Sequence, residues 1–474
     1  MLDERTISAI VEEVLRKLKT DGVSVGPAPS CSGSGGAFDS VDAATDAAAR
    51  AHLDLVDTSL ETRKKIINAM RQVSVEHLEE LSRLALDETG LGRYEDKLKK
   101  NLLAATSTPG LEDLAPEAVS GDHGITVVER APYGVISTIT PSTNPSETVI
   151  NNAIGMVAGG NAVVFNPHPG AKRTTLRIIE LLNSAIVSQG GPGNVLTCVR
   201  EPSIETAQAS MKHPKVRLVV VTGGGAVVRE AMKSGKKVIA AGPGNPPAVV
   251  DETAEIETAA RHLVNGASLD NNIVCICEKE VLAVDSIVDD LKRKMTANGA
   301  VEIKGNDIEK MKQLVIKEDK GPSRHAVTRR EFVGKDAGLL LSEIGVKSGQ
   351  DARLVICETP PTHPFVWTEL LMPVLAIVRV PDADEGIRLA KDVEHGFGHS
   401  AMMHSTNITR LSKMARFINT TVFIKNGPCY AGLGFEGEGF TSFTIASPTG
   451  EGLTSARTFT RMRRCVLVDY FRIV

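Results

Sequence analysis

The sequence predicts an α/β protein built on mainly parallel sheet, and two observations carry that prediction. Between residues 125 and 252, short β-branched runs (ITVVERAPYGVISTI, NAVVFNP, VRLVVVTGG, KKVIAAGPG, PPAVVDE) alternate with helical stretches such as TTLRIIELLNSAIVSQ and GAVVREAMKSG. Strand–helix–strand order with continuously apolar strands is the pattern of a parallel sheet covered on both faces. The alternation resumes from about residue 267 to 421, with strands expected near 273–277, 353–357 and 374–380.

The remaining elements follow in chain order. In residues 1–19, Ile7, Ile10, Val11, Val14, Leu15 and Leu18 form one apolar stripe at helical spacing, with Glu12, Glu13, Arg16, Lys17 and Lys19 opposite. Residues 20–37, rich in Gly, Ser and Pro, read as a flexible linker. A lone helix of under about five turns is marginal in water, so its stripe needs a surface. Docking on another protein is the preferred reading; folding back onto the body, or pairing within an oligomer, is the alternative. Residues 41–56, 59–89 and 94–106 carry helical apolar spacing with little Gly or Pro. Residues 427–452 read as irregular, and 461–474 end in a strand-like apolar run.

Composition excludes several classes. The chain has 474 residues, 54 Lys and Arg against 58 Asp and Glu, and 4% aromatics. That balance lacks the basic footprint and stacking rings of a nucleic-acid binder. No apolar run approaches the ~20 residues of a membrane span. Seven scattered cysteines without framework spacing suit a reducing compartment, and the N-terminus lacks a secretory pattern, so the cytoplasm is expected.

Three segments hold candidate chemistry. Strand 216–221 runs into Thr222-Gly223-Gly224-Gly225 and a helix, a turn whose bare backbone N–H groups suit a diphosphate. The spacing is not that of the dinucleotide fingerprint, and a plain tight connection is the competing reading. In ASLDNNIVCICEKE, amides precede two thiols, Cys275 and Cys277. Strand alternation puts both thiols on one face and does not choose between them, although Cys275 stands nearer the polar loop. Two buried core cysteines are the competing reading. In AAGPGNPPAVVDE, Gly242, Gly244, Pro246 and Pro247 make a rigid, approachable bend with no acid between Ile239 and Val250. His395, His399 and His404 lie among glycines that break any helix able to align them, so no metal is expected.

Together these segments resemble the aldehyde dehydrogenase superfamily, and specifically its CoA-acylating branch found in bacterial microcompartments. The resemblance spans the chain and rests on ITPSTNPSETVINNAIGMVAGGNAVVFNPHPGAK, VTGGGAVV, GPGNPP, GASLDNNIVC, LMPVL, GHSAMMHS, KNGPCYAGLG and SPTGEGLTSARTF. It implies a Rossmann-like cofactor domain over residues 38–264 with an arm near 122–132. A catalytic domain over 265–456 and a C-terminal oligomerisation segment over 457–474 complete the expected plan.

It further implies Cys275 as nucleophile, Asn144 as amide donor to the oxyanion, and His399 as an auxiliary for thiol deprotonation. Thr222, Gly223, Gly224, Asn166, Pro167, Gly242 and Glu369 would contact the cofactor. Asn166 stands where hydrolytic relatives hold the ribose with lysine, and no carboxylate stands in GPGNPP where they activate water. A thioacyl-enzyme without a base for water persists until another nucleophile attacks. The implied activity is NAD-dependent oxidation of a short-chain aldehyde, propionaldehyde or acetaldehyde, with coenzyme A taking the acyl group. The implied setting is a homo-oligomer, dimer or tetramer, inside a bacterial microcompartment, with residues 1–19 docking on a shell protein. A hydrolytic aldehyde dehydrogenase releasing free acid, and a non-catalytic shell-binding scaffold, are the competing readings.

Overall fold

A computed structural model describes residues 4–20, 35–347, 349 and 352–473. Most of the expected linker, 20–37, lies outside the described residues. The chain forms two compact units: one comprises Thr89–Lys97 and Gly242–Gly439, the other the remaining described residues. The changeover falls at Ala241/Gly242 rather than at 264/265. Strand Pro247–Val250 pairs with Glu280–Val284 and Ser400–His404, which places it in the sheet of the later unit.

In the unit containing helix Glu4–Thr20, six parallel strands make one sheet: Ala37–Phe38, Leu196–Val199, Ala162–Pro167, Val135–Thr140, Val216–Thr222 and Lys237–Ala241, in that spatial order. Val135–Thr140 and Ala162–Pro167 are buried along their whole length, as the continuous apolar runs require. From Val135–Thr140 the chain builds outward on one side and then returns to add Val216–Thr222 on the other. The crevice at the carboxyl ends of those two strands is therefore a topological switch point, where open parallel sheets bind ligands.

The expected helix over 59–89 is two helices, Leu60–Glu76 and Leu78–Thr89, broken at His77. Helix Glu4–Thr20 lies against Leu60–Glu76, with Ile7 buried and Ile10, Val11, Val14, Leu15 and Leu18 half-buried, so its stripe meets the body of this unit. Strand Gly124–Pro132 pairs antiparallel with both Glu117–Gly121 and Thr460–Val468, forming a small separate sheet. Residues 461–468 of that last strand are exposed.

The other unit carries seven parallel strands in the order Ala300–Glu302, Leu354–Glu358, Val374–Val380, Glu280–Val284, Pro247–Val250, Ser400–His404 and Val422–Lys425. Its core packs Val249, Leu282, Val355, Ala376, Val378 and Met403 against helix residues such as Leu340, Ile387 and Met414. Residues 273–277, expected as a strand, form an irregular turn instead. Asp270, Asn271 and Asn272 precede them in left-handed conformation, with φ of 47°, 55° and 66°. Asn and Asp tolerate that region because their short side chains bond locally. Three such residues in a row cannot feed a strand directly.

Candidate active site

Four neighbouring strands of the seven-stranded sheet bring one site residue each to their amino ends. In spatial order, Glu369 precedes Val374–Val380, Cys275 precedes Glu280–Val284, Gly244 precedes Pro247–Val250, and His399 precedes Ser400–His404. Gly244 is the point where three of them meet. A Cβ there would stand 3.0 Å from the Cys275 carbonyl oxygen and 3.0 Å from His399 Cγ, and its N–H reaches Glu369 Oε1 at 3.5 Å. Gly242, two residues before it, is half-buried.

The turn, unlike a strand, exposes the two thiols unequally. Cys275 is half-buried, whereas Cys277 is wholly buried, as are Cys198, Cys357 and Cys429; Cys465 is exposed on the small sheet. Burial pushes the Cys275 thiol up to about 12, and the Glu369 carboxylate adds to the rise, while the Lys279 ammonium acts the other way. His399 donates its backbone N–H to Glu394 Oε1 (2.9 Å), and its Nδ1 lies 2.8 Å from Ser400 Oγ. Its Nε2 is buried without a hydrogen-bond partner. Burial, reinforced by Lys279, pulls His399 down to about 4, so the ring is neutral at pH 7. The GPGNPP bend contains no carboxylate, yet the fold brings the Glu369 carboxyl to it, and burial raises that group above its ordinary value.

The other unit gathers its residues at the switch point. Thr222 ends its strand with Oγ1 2.8 Å from Thr444 Oγ1, and Gly223 N–H donates to Ala241 O at 3.2 Å. Gly224 caps helix Gly225–Met232, with nothing within 4 Å of where its Cβ would be. That open cradle in front of a helix N-terminus fits a dinucleotide diphosphate. Asn166 and Pro167 end Ala162–Pro167, and the buried Asn166 accepts from Thr206 Oγ1 at 2.9 Å. Asn144 caps helix Pro145–Ala158, and its Oδ1 accepts from Lys100 Nζ at 2.7 Å, leaving the amide N–H₂ side as the donor end. Lys100 is also ion-paired with the buried Glu147 at 2.9 Å.

Sequence reasoning missed the buried lysines. Lys100 lies in the helix expected over 94–106, where helical spacing alone does not mark it as buried, yet it is 3% exposed. Lys279 sits in Glu278-Lys279-Glu280, three charges directly before the buried run VLAV. That position was the available signal that these charges point inward.

A glycine turn suited to a dinucleotide diphosphate in one unit, and a candidate thiol nucleophile in the other, fit a redox enzyme working through a covalent adduct. The chain belongs to the aldehyde dehydrogenase family, which it matches over residues 29–439. It is 49% identical, over the full length of both chains, to acetaldehyde dehydrogenase (acetylating) EutE of Salmonella typhimurium. A crystal structure of Rhodopseudomonas palustris propionaldehyde dehydrogenase, with bound CoA and an acylated cysteine, superposes with a TM-score of 0.90. It is 49% identical and covers 92% of this chain and 99% of that one. The propionaldehyde dehydrogenase from the fucose utilisation bacterial microcompartment of Clostridium phytofermentans gives a TM-score of 0.90 at 46% identity, over 93% of this chain and 100% of that one.

Proposed function

We propose that this protein converts a short-chain aldehyde, propionaldehyde or acetaldehyde, to its acyl-CoA with reduction of NAD, through a thioester on Cys275. One observation carries the choice of nucleophile: among the described cysteines only Cys275 is half-buried, in a turn that meets the neutral His399 across Gly244. The similarity to acylating enzymes supports the substrate class.

His399, neutral and with Nε2 unpartnered, is read as the auxiliary that assists loss of the thiol proton. The Cys275 thiolate adds to the carbonyl carbon, and the π electron pair moves to oxygen. Asn144 donates its amide N–H to that oxyanion while Lys100 holds the opposite oxygen of the same side chain. The oxyanion then collapses as the carbon loses hydride, leaving the acyl group on sulfur. NAD, when bound, would supply the hydride acceptor; Thr222, Gly223 and Gly224 would hold its diphosphate, and Asn166, Pro167, Gly242 and Glu369 are the further residues read as cofactor contacts. The CoA thiol loses its proton to solvent, its thiolate attacks the thioester carbon, and Cys275 leaves as thiolate.

Helix Glu4–Thr20 is read as the segment that docks on a microcompartment shell protein by leaving its seat on Leu60–Glu76. The exposed strand Thr460–Val468, with Met462, Val466, Leu467 and Val468 outward, is read as the contact between copies in a dimer or tetramer. The test of the activity is NADH formation from C2–C4 aldehydes with and without CoA. Steady turnover only with CoA supports the reading. Equal turnover without it, releasing free acid, overturns it.

A further inference from the structure

The turn presenting Cys275 is built around a buried cation. Lys279 is 3% exposed, and its ammonium donates to Asn272 Oδ1 (2.6 Å), Asn272 O (2.9 Å) and Val274 O (3.4 Å). Its backbone N–H reaches Pro246 O at 3.0 Å, fastening the turn to the GPGNPP bend. Asn272 completes the cross-link by donating to Ala267 O (2.7 Å) and Glu278 O (3.0 Å).

Every acceptor of the Lys279 ammonium is a neutral oxygen, and among the described residues no carboxylate forms an ion pair with it. The carboxylates around it are committed elsewhere or held toward their neutral form. Glu278 accepts from Cys429 N–H at 2.9 Å, and Glu280 is wholly buried with neither oxygen partnered. Glu394 accepts from His399 N–H, and Glu369 from Gly244 N–H. An ammonium held out of water without a carboxylate partner is expensive. The charged groups that act on the Cys275 thiol are Glu369, which disfavours the thiolate, and Lys279, which favours it, while His399 meets the Cys275 backbone across Gly244. Of these, only the Lys279 ammonium favours the thiolate.

We propose that Lys279 is a positioning residue for Cys275: it cross-links the turn that presents the thiol and supplies the positive charge beside which the thiolate forms. This rests on the reading of Cys275 as the nucleophile. The counter-ion it lacks in the resting protein is the thiolate itself, present only during turnover.

The test is iodoacetamide alkylation of the full-length protein from pH 6 to 10, followed on the Cys275 peptide by mass spectrometry. Lys279→Met removes charge and donors; Lys279→Gln keeps donors to the turn without the charge; Lys279→Arg keeps the charge. A unit charge several ångströms away in a partly buried site is worth one or more pKa units. Both neutral variants are therefore expected to need a pH about one unit higher for the same rate, about tenfold slower at pH 7.5, with Arg restoring much of the difference. Where Met destabilises the fold, Gln makes the same measurement. Neutral variants that alkylate on the parent's profile overturn the proposal for Lys279. If labelling of Cys275 in the parent leaves aldehyde-dependent NADH formation intact, the nucleophile reading itself fails, whatever the variants do.

Discussion

Replacing Lys100 by Met removes a buried ammonium that is paired with Glu147 at 2.9 Å and donates to Asn144 Oδ1 at 2.7 Å. Glu147 is fully buried, so the surviving carboxylate would be left without its counter-charge. Breaking a buried pair from one side costs about 3–5 kcal/mol, a large part of the roughly 5–15 kcal/mol that holds a domain together. The double variant Lys100→Met/Glu147→Gln removes both charges and should recover most of that loss, since an isosteric neutral pair is often no less stable. Activity should not recover with it. Asn144 would lack the donor that fixes its amide, so kcat should stay down by roughly 10–100-fold, short of the 10²–10³ for deleting an oxyanion donor outright. Urea midpoints and initial rates of NADH formation at saturating aldehyde and CoA measure the two effects separately. A double variant that regains both stability and kcat would refute the argument, leaving Lys100 as a counter-ion only.

Gly244→Ala places a methyl 3.0 Å from both the Cys275 carbonyl and His399, and should lower kcat/KM about tenfold while costing ~1–3 kcal/mol of stability; unchanged kinetics would contradict the meeting point. Burial raises Glu278 to about 7, so it favours folding below about pH 4.5, and this contribution is lost as pH climbs through 7. Glu278→Gln should match the parent at pH 4.5 and exceed it by up to about 3 kcal/mol at pH 8, read from urea midpoints; parallel profiles would contradict this. His399 slopes oppositely: its pKa is depressed to about 4, so its contribution is present above pH 6.5 and lost on acidification toward 4. Deleting residues 1–19 should leave aldehyde oxidation intact and abolish co-localisation with shell protein, and a deletion that fails to fold would sink that reading.

Much of this molecule was legible before its coordinates. The buried strands Ala162–Pro167, Val216–Thr222 and Val374–Val380 read as continuous apolar runs, and the open glycine turn at Thr222–Gly224 followed from residue types alone. The thiol turn was not legible. The Ile273-Val274-Cys275-Ile276-Cys277 run has strand propensity, and contacts made only in the fold override it: Lys97 on Asp270, Asn271 on Gly334 O and Lys279 on Asn272. Likewise Lys100 and Lys279 defy the expectation that lysine lies outside, because their partners, Glu147 and Asn272, stand 47 and 7 residues away along the chain and meet them only in the fold. Glu369 is the same lesson in reverse: the bend without an acid acquires one from a distant loop.

The most direct measurement is the mass of the Cys275 peptide after mixing the protein with propionaldehyde and NAD, first without CoA and then with it. An added propionyl group on that peptide, discharged as propionyl-CoA when CoA arrives, is the predicted result. A label on Cys277 or any other residue, or an adduct that CoA fails to remove, would contradict the account.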